Sequence, residues 1–519
     1  MMKSTRTLAV FMTALLLASA CSPPGGEDGV NGDAGGDATV DQSELVIGIA
    51  NDVSGREWDP ALTAGGTAIP VLYSIYDTLY DFDEDGLPQP HIVESDELSE
   101  DELTLTMNIH SGITFHDGSE LTAEDVAFSL DRVRGEDESL EGPAYTSSLA
   151  LIDYVEVEDD YTVIIHLSEP DPILRNSLAY LPGMVVPSDY VQEVGNDGFL
   201  ADPIGSGPYV LESSTPGQEF TLQLFDDYAF ETGEAFEEVN LQVLTEGATR
   251  IAQLRAGDID FAVDVDISQV EALEGDGFQI STNPSGQFLS VIFNHRTEVL
   301  EDPQLRQAIN LAVDRESIIE SLYDGLASAT GTMDANISAD LVEPFEYDPE
   351  QAEDLLEASS YDGETLIINY PSGRYPQDSQ LIQTVQANLG DIGLDLEIHS
   401  MDSNQWLDGL QEKTLDDMSL TLLSNTNYDS YQSLWSATAC EGPWSLWCDE
   451  DLEEELERLS RLQGEERLEG FIELSEGFKE DPPALFLLDF HQVYAMQEGI
   501  QWYPTPGYRN FDYTDIRPE

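Results

Sequence analysis

Residues Gly112–Arg132, GITFHDGSELTAEDVAFSLDR, constrain the fold of this chain more than any other stretch. Ile113 and Phe115 alternate with polar neighbours, the period of a half-buried strand. Asp117-Gly118 is a turn dipeptide, because glycine adopts the positive φ that a tight reversal needs. Thr122 stands three residues before Asp125, the spacing of an N-cap hydroxyl and an N3 acid. Val126, Leu130 and Val133 then recur at helical spacing. The segment therefore reads as strand, turn and capped helix.

The charge constrains the surface. Of 519 residues, 104 are acidic and 19 basic, a formal net charge of −85, and the only lysines are Lys3, Lys413 and Lys479. The acids run along the whole chain among intact apolar runs, and hydrophobic residues still make up 41 %, so the chain packs a core beneath an acidic surface. Such self-repulsion opposes compaction unless ions screen it. At about 1 M salt the Debye length shrinks to about 3 Å. A halophilic protein working in brine outside the cell is expected, and nucleic acid is excluded as a partner because its phosphates would be repelled.

The N-terminus reads as an export signal over residues 1–20. Lys3 and Arg6 precede an uncharged apolar run, Leu8 to Ala20, which is shorter than the ~20 residues of a membrane span. Leu17-Ala18-Ser19-Ala20-Cys21 is close to a lipobox, which would place lipid on Cys21 and anchor the protein to a membrane. Ala18-Ser19-Ala20 also fits ordinary cleavage and free secretion. Residues 21–43 are Gly- and Asp-rich and read as a flexible tether. With Cys21 lipidated, Cys440 and Cys448 remain, as a disulfide or as two free thiols.

Several literal strings go beyond local physics. Phe115-His116-Asp117-Gly118 with Thr122-Ala123-Glu124-Asp125-Val126, Ile204–Val210 (IGSGPYV), Leu305–Arg315 (LRQAINLAVDR) and Tyr347–Ala352 (YDPEQA) occur in this order. Together they resemble the signatures of the family 5 extracytoplasmic solute-binding proteins of ABC importers, which bind dipeptides, oligopeptides or nickel. The resemblance covers roughly residues 44 to 515. It implies an α/β, two-lobed periplasmic-binding-protein-like fold of class II type, with an extra α/β domain inserted in the first lobe. The implied division is lobe I from 44–85, 205–285 and 490–519, the extra domain from 86–204, and lobe II from 286–489. It implies a monomer that closes on a short peptide or related solute and delivers it to membrane permease subunits, from the periplasm or the cell surface.

The resemblance also locates ligand candidates. In peptide-binding relatives an Asp after a strand holds the peptide α-amine, a few residues before a cysteine. Here that position falls on Thr426, and Asp429 matches the motif's second acid. Either Asp429 takes the role or the ligand lacks a free α-amine, since Thr cannot neutralise an ammonium. Arg374, followed by Tyr375, stands near the place of a carboxylate-binding Arg, and the alternative is a surface Arg paired with Asp378. Tyr428, Tyr431, Trp406 and Trp435 are candidate walls of the ligand or, alternatively, core residues. Gln287 is placed near the lobe crossing.

Nothing in the chain points to catalysis. Among 104 acids, paired carboxylates read as a solvated surface. The seven histidines are scattered, and His116 reads as a structural turn residue. There is no H-E-x-x-H, no G-x-S-x-G and no Walker loop. Gly205-Ser206-Gly207-Pro208 lacks the Lys that a phosphate loop needs and reads as a rigid turn. No cofactor and no metal are implied. The readings left beside peptide capture are a family member carrying a nickel chelate, an oligosaccharide or an opine-like solute, and, more remotely, an extracellular hydrolase.

Overall fold

The computed structural model describes residues 43–519 except 64–67, 84–85, 138, 335–340, 425–428 and 503–512. Among the described residues one 11-stranded mixed sheet runs through the molecule. Its middle is a pair of long antiparallel strands, Gln279–Phe293 and Ala484–Met496. Gln279–Pro284 pairs with Met496–His491, the ladder then slips, and Phe288–Ile292 pairs with Asp489–Ala484. The slip coincides with Pro284, which has no N–H to offer, and Gly286 at φ 64°.

Strands flank this pair on both sides. On one side lie Phe261–Ala262, Glu44–Ile49, Glu238–Val243, Glu219–Leu224 and Tyr209–Thr215. Their core includes Leu45, Ile47, Phe220 and Leu241. On the other lie Met418–Ser424, Leu366–Pro371 and Leu396–Met401. Their core includes Val291, Ile368, Val385 and Leu420. Two separate apolar cores joined by two continuous strands make two lobes with a narrow connection.

A four-stranded antiparallel sheet forms the inserted domain, in the order Val93–Leu98, Thr104–Ile109, Thr162–Leu167, Ile152–Asp159. Alternation builds it: Leu105, Met107 and Ile109 on one strand and Val163, Ile165 and Leu167 on the next are buried. The helix Ala123–Arg134 contributes Val126, Leu130 and Val133 to the same core. Its start is capped: the Asp125 carboxylate accepts the Thr122 N–H and hydroxyl, both at 2.9 Å, and its other oxygen accepts the Ser188 N–H and hydroxyl at 2.9 and 2.8 Å.

The strand expected at Gly112–His116 is a correction. Ile113 and Phe115 are buried, but the pairing shrinks to one bridge, Thr114 with Glu120, because the Asp117-Gly118 turn follows at once. His116 instead grips another part of the chain. Its Nε2–H donates to the Gly207 carbonyl at 3.0 Å and its Nδ1 accepts the Gly205 N–H at 3.4 Å. Burial pulls its pKa down, which suits this neutral tautomer. A Cβ on Gly205 would lie 2.0 Å from the Ile75 carbonyl oxygen, and one on Gly207 2.6 Å from the Ile75 carbonyl carbon. The two glycines are needed for this close approach.

The LRQAINLAVDR stretch also differs from one continuous helix. The helix Pro303–Leu311 ends, and Asp314 caps a new one, Arg315–Leu322. Arg315 is buried and donates to the carbonyls of Phe486 and Asn310 and to the Asn310 side chain. Asn310 in turn donates to the Ala484 carbonyl and accepts the Phe486 N–H. These side chains staple the helix pair to the long central strand. Burial lowers the Arg315 pKa to about 9, which leaves it cationic at neutral pH.

Candidate functional site

Three parallel strands of the second lobe end at one edge of the sheet. Leu366–Pro371 pairs in parallel with both Leu396–Met401 and Met418–Ser424. In open α/β sheets the carboxyl ends of strands form the binding edge. Gln287, on the antiparallel crossing strand, pairs opposite Ser424 at that same edge, and its N–H donates to Asp489 Oδ1 at 3.3 Å. The loops that follow these strands carry the predicted residues. Thr426 and Tyr428 fall outside the described residues.

Arg374 lies in the loop after Leu366–Pro371. Asp378 shapes that loop by accepting the backbone N–H groups of Gly373, Arg374 and Tyr375 at 2.7–3.3 Å. The Arg374 guanidinium therefore does not lean on Asp378. It lies 5.5 Å from the Trp406 ring centroid and 5.8 Å from that of Tyr375. Arg374 is exposed, and no described carboxylate forms an ion pair with it. Cation–π packing orients the guanidinium, which also reaches the Tyr375 hydroxyl and meets no described carboxylate. Tyr375 is buried, and burial raises its phenol pKa while the Arg374 charge opposes the rise.

Trp406 is fully buried on the helix Ser403–Gln411 and donates its indole N–H to Ser419 Oγ at 2.8 Å. It is a core residue beneath Arg374 and presents no surface to a solute. Tyr431 and Trp435 lie half-buried against the same core, on the helix Ser430–Thr438. The cysteines Cys440 and Cys448 are joined as a disulfide with Cα atoms 4.2 Å apart. Lys413 donates to the Gly442 and Ser445 carbonyls within that loop.

Asp429 caps the helix Ser430–Thr438 and is buried. Its Oδ1 accepts the Gln432 N–H at 3.2 Å, and its Oδ2 accepts from Arg467 Nε and a terminal guanidinium nitrogen at 3.0 and 2.7 Å. Sequence reasoning missed Arg467, which sits in the acidic helix Gly464–Gly477 and resembles its solvated neighbours. It also missed Asp171, in the loop of the inserted domain after Thr162–Leu167. Burial, together with the nearby Asp429 charge, pushes the Asp171 pKa up to about 6, and Arg467 partly offsets this. An acid of the inserted domain thus lies near enough to Asp429 and Arg467 of the second lobe to feel their charges. Only the spacing Ser-Glu-Pro-Asp-Pro at 168–172 hinted at a fixed acid there, since Asp171 Oδ1 accepts the Ile173 N–H.

Among the described residues no group of three or more His, Cys, Asp or Glu is placed to hold a metal ion, and no helix is long and apolar enough to cross a membrane. Two lobes, a two-strand connection and a polar edge facing an inserted domain define the class: a two-lobed binding protein. The family model described as bacterial extracellular solute-binding proteins, family 5 middle, matches residues 88–445. The chain belongs to this family, the extracytoplasmic solute-binding proteins of ABC importers, which bind and hand over solutes and do no catalysis. It is similar to the glutathione-binding protein GsiB of Pectobacterium atrosepticum, 26 % identical over 380 residues, covering 72 % of this chain and 71 % of that one. It shares its fold with HbpA2 from Haemophilus parasuis, with TM-score 0.81 at 20 % identity, covering 92 % of this chain and 100 % of that one. The periplasmic binding protein DppA from Helicobacter pylori, in complex with the peptide STSA, gives TM-score 0.69 at 22 % identity, covering 92 % and 98 %.

Proposed function

We propose that this chain captures a short peptide or a similar zwitterionic solute between its lobes and passes it to an ABC permease. The observation that carries the reading is Arg374: in a chain of net charge −85 it is exposed, held over Trp406, and paired with no described carboxylate. A ligand carboxylate is the natural partner of an exposed guanidinium that meets no described carboxylate. Asp429 and Asp171 supply negative charge for an ammonium, in excess of the single Arg467. Gln287, Tyr375, Thr426, Tyr428, Tyr431 and Trp435 complete the proposed site. The similarity to GsiB, a glutathione-binding protein, and to the DppA–peptide complex supports this cargo class.

A second reading has one observation behind it. Arg467 already engages Asp429, so the cargo of this site need not carry a free α-amine. Intrinsic tryptophan fluorescence in molar salt separates the two, with di- and tripeptides titrated beside their N-acetylated forms. Saturable quenching by free peptides alone supports the zwitterion. Equal response to both supports the amine-free cargo, and no response to either sinks the peptide reading.

The proposal extends to the cell surface. Residues 1–20 direct export, Cys21 carries lipid, and 21–43 tether the globular part, which mass spectrometry of the membrane-fraction protein tests directly. The lobes divide as 44–85, 205–285 and 490–519 against 286–489, with 86–204 inserted. The protein works in brine, and its melting temperature rises with salt. A melting temperature that stays flat from low to molar salt contradicts this.

A further inference from the structure

Away from the cleft edge, a cavity of about 150 Å³ opens between the helix Ile69–Ile75, the inserted domain and the loop after Glu219–Leu224. At its wall Asp77 is only 4 % exposed. Its Oδ1 accepts from His91 Nε2 at 3.0 Å and from the Tyr228 hydroxyl at 2.9 Å. Its Oδ2 is buried and accepts no hydrogen bond. A buried carboxylate oxygen without a donor is costly, and such groups are normally satisfied. Among the described residues the cavity wall contains Asp81 and Glu231 and no Lys or Arg. The remaining described wall combines the aromatic Tyr73, Tyr76, Tyr228 and Phe230 with polar residues such as Thr78 and Thr232. Phe230 stacks on His91 at 4.3 Å, which holds that ring against Asp77.

Negative charge, an unsatisfied buried oxygen and aromatic faces together describe a receptor for a cation. No three acids or histidines gather to coordinate a metal among the described residues. Aromatic walls favour soft organic cations over strongly hydrated ions. We propose that this cavity is a second binding site, separate from the lobe edge, for a small organic ammonium ion whose charge is met by Asp77 and whose alkyl groups lie against the rings.

The test is calorimetric titration of the full chain with methylammonium and tetramethylammonium chloride at constant molar salt, with potassium chloride as the control. Saturable binding is expected for the ammonium ions and none for potassium. Asp77→Asn should weaken it by about 10- to 100-fold, the loss of a charge-assisted contact. Phe230→Leu keeps the charges and should weaken tetramethylammonium by about two- to fivefold. Peptide binding at the lobe edge should be unchanged in both. Absence of saturation, equal binding by potassium, or full affinity in Phe230→Leu would each overturn the proposal. So would full affinity in Asp77→Asn with a wild-type circular dichroism spectrum.

Discussion

Two buried arginine–aspartate pairs behave as different devices. Arg132 and Asp59 tie the inserted domain to the first lobe. Both are fully buried, both Asp59 oxygens take an Arg132 nitrogen at 2.7–3.2 Å, and the Ala61 N–H adds a third bond. Arg467 and Asp429 belong to the second lobe, with one Asp429 oxygen taking both nitrogens and the pair's charges felt by Asp171. The first joins one carboxylate to two guanidinium nitrogens in a dry site, with Asp137 Oδ2 at 3.8 Å from the third nitrogen, so it locks. The second carries an extra carboxylate whose ionisation is penalised, so it is poised to change with pH or with an incoming cation. The same two side chains thus give a clamp or a responsive contact according to what surrounds them.

The largest test of this contrast is Arg132→Ala. It strands Asp59 in a dry site and should cost about 3–5 kcal/mol of stability by denaturant titration in molar salt. Peptide affinity of the folded fraction should not change. Next, Arg374→Ala should leave stability near wild type and weaken peptides with a free carboxylate by about 10- to 100-fold, read by calorimetry. Equal weakening of C-terminally amidated peptides would place Arg374 outside carboxylate recognition.

The third test uses Asp171. Its folded pKa of about 6 exceeds the ordinary 3.8, so the native state holds more protons than the unfolded one between these values. This group therefore adds stability at low pH that is lost as pH rises from about 4 to about 6. Asp171→Asn should flatten that part of the melting-temperature profile, whereas a change at Arg132–Asp59 should not. The smallest effect belongs to Thr122→Ala, which removes one arm of the N-terminal cap of the helix that carries Arg132 and should cost about 1 kcal/mol.

Local pattern carried much of this fold. The Thr122–Asp125 cap, the alternating strands Thr104–Ile109 and Thr162–Leu167, and the helix Asp378–Asp391 follow from short-range periodicity and turn chemistry. The long strand Ala484–Met496 did not show its length, because Asp489, His491 and Gln492 interrupt the apolar run where the chain passes between lobes. Helix Pro303–Leu311 stops short of Asp314, which serves as the cap of the next helix. Trp406 and Arg374 were legible as candidates, yet only packing shows that one is the floor on which the other rests.

The family, the capped helix of the inserted domain and the acidic surface were already decided by the chain itself, because they depend on neighbours a few residues apart and on bulk composition. Which acids matter was not. With 104 of them, Asp77 and Asp171 look like any others in the sequence, and Asp429 stood out only through the family resemblance. Their roles come from partners far along the chain: Tyr228 for Asp77, Arg467 for Asp429, and Asp429 itself for Asp171. A carboxylate's behaviour is set by its burial and by charges a few ångströms away, and those are properties that only the tertiary structure assembles.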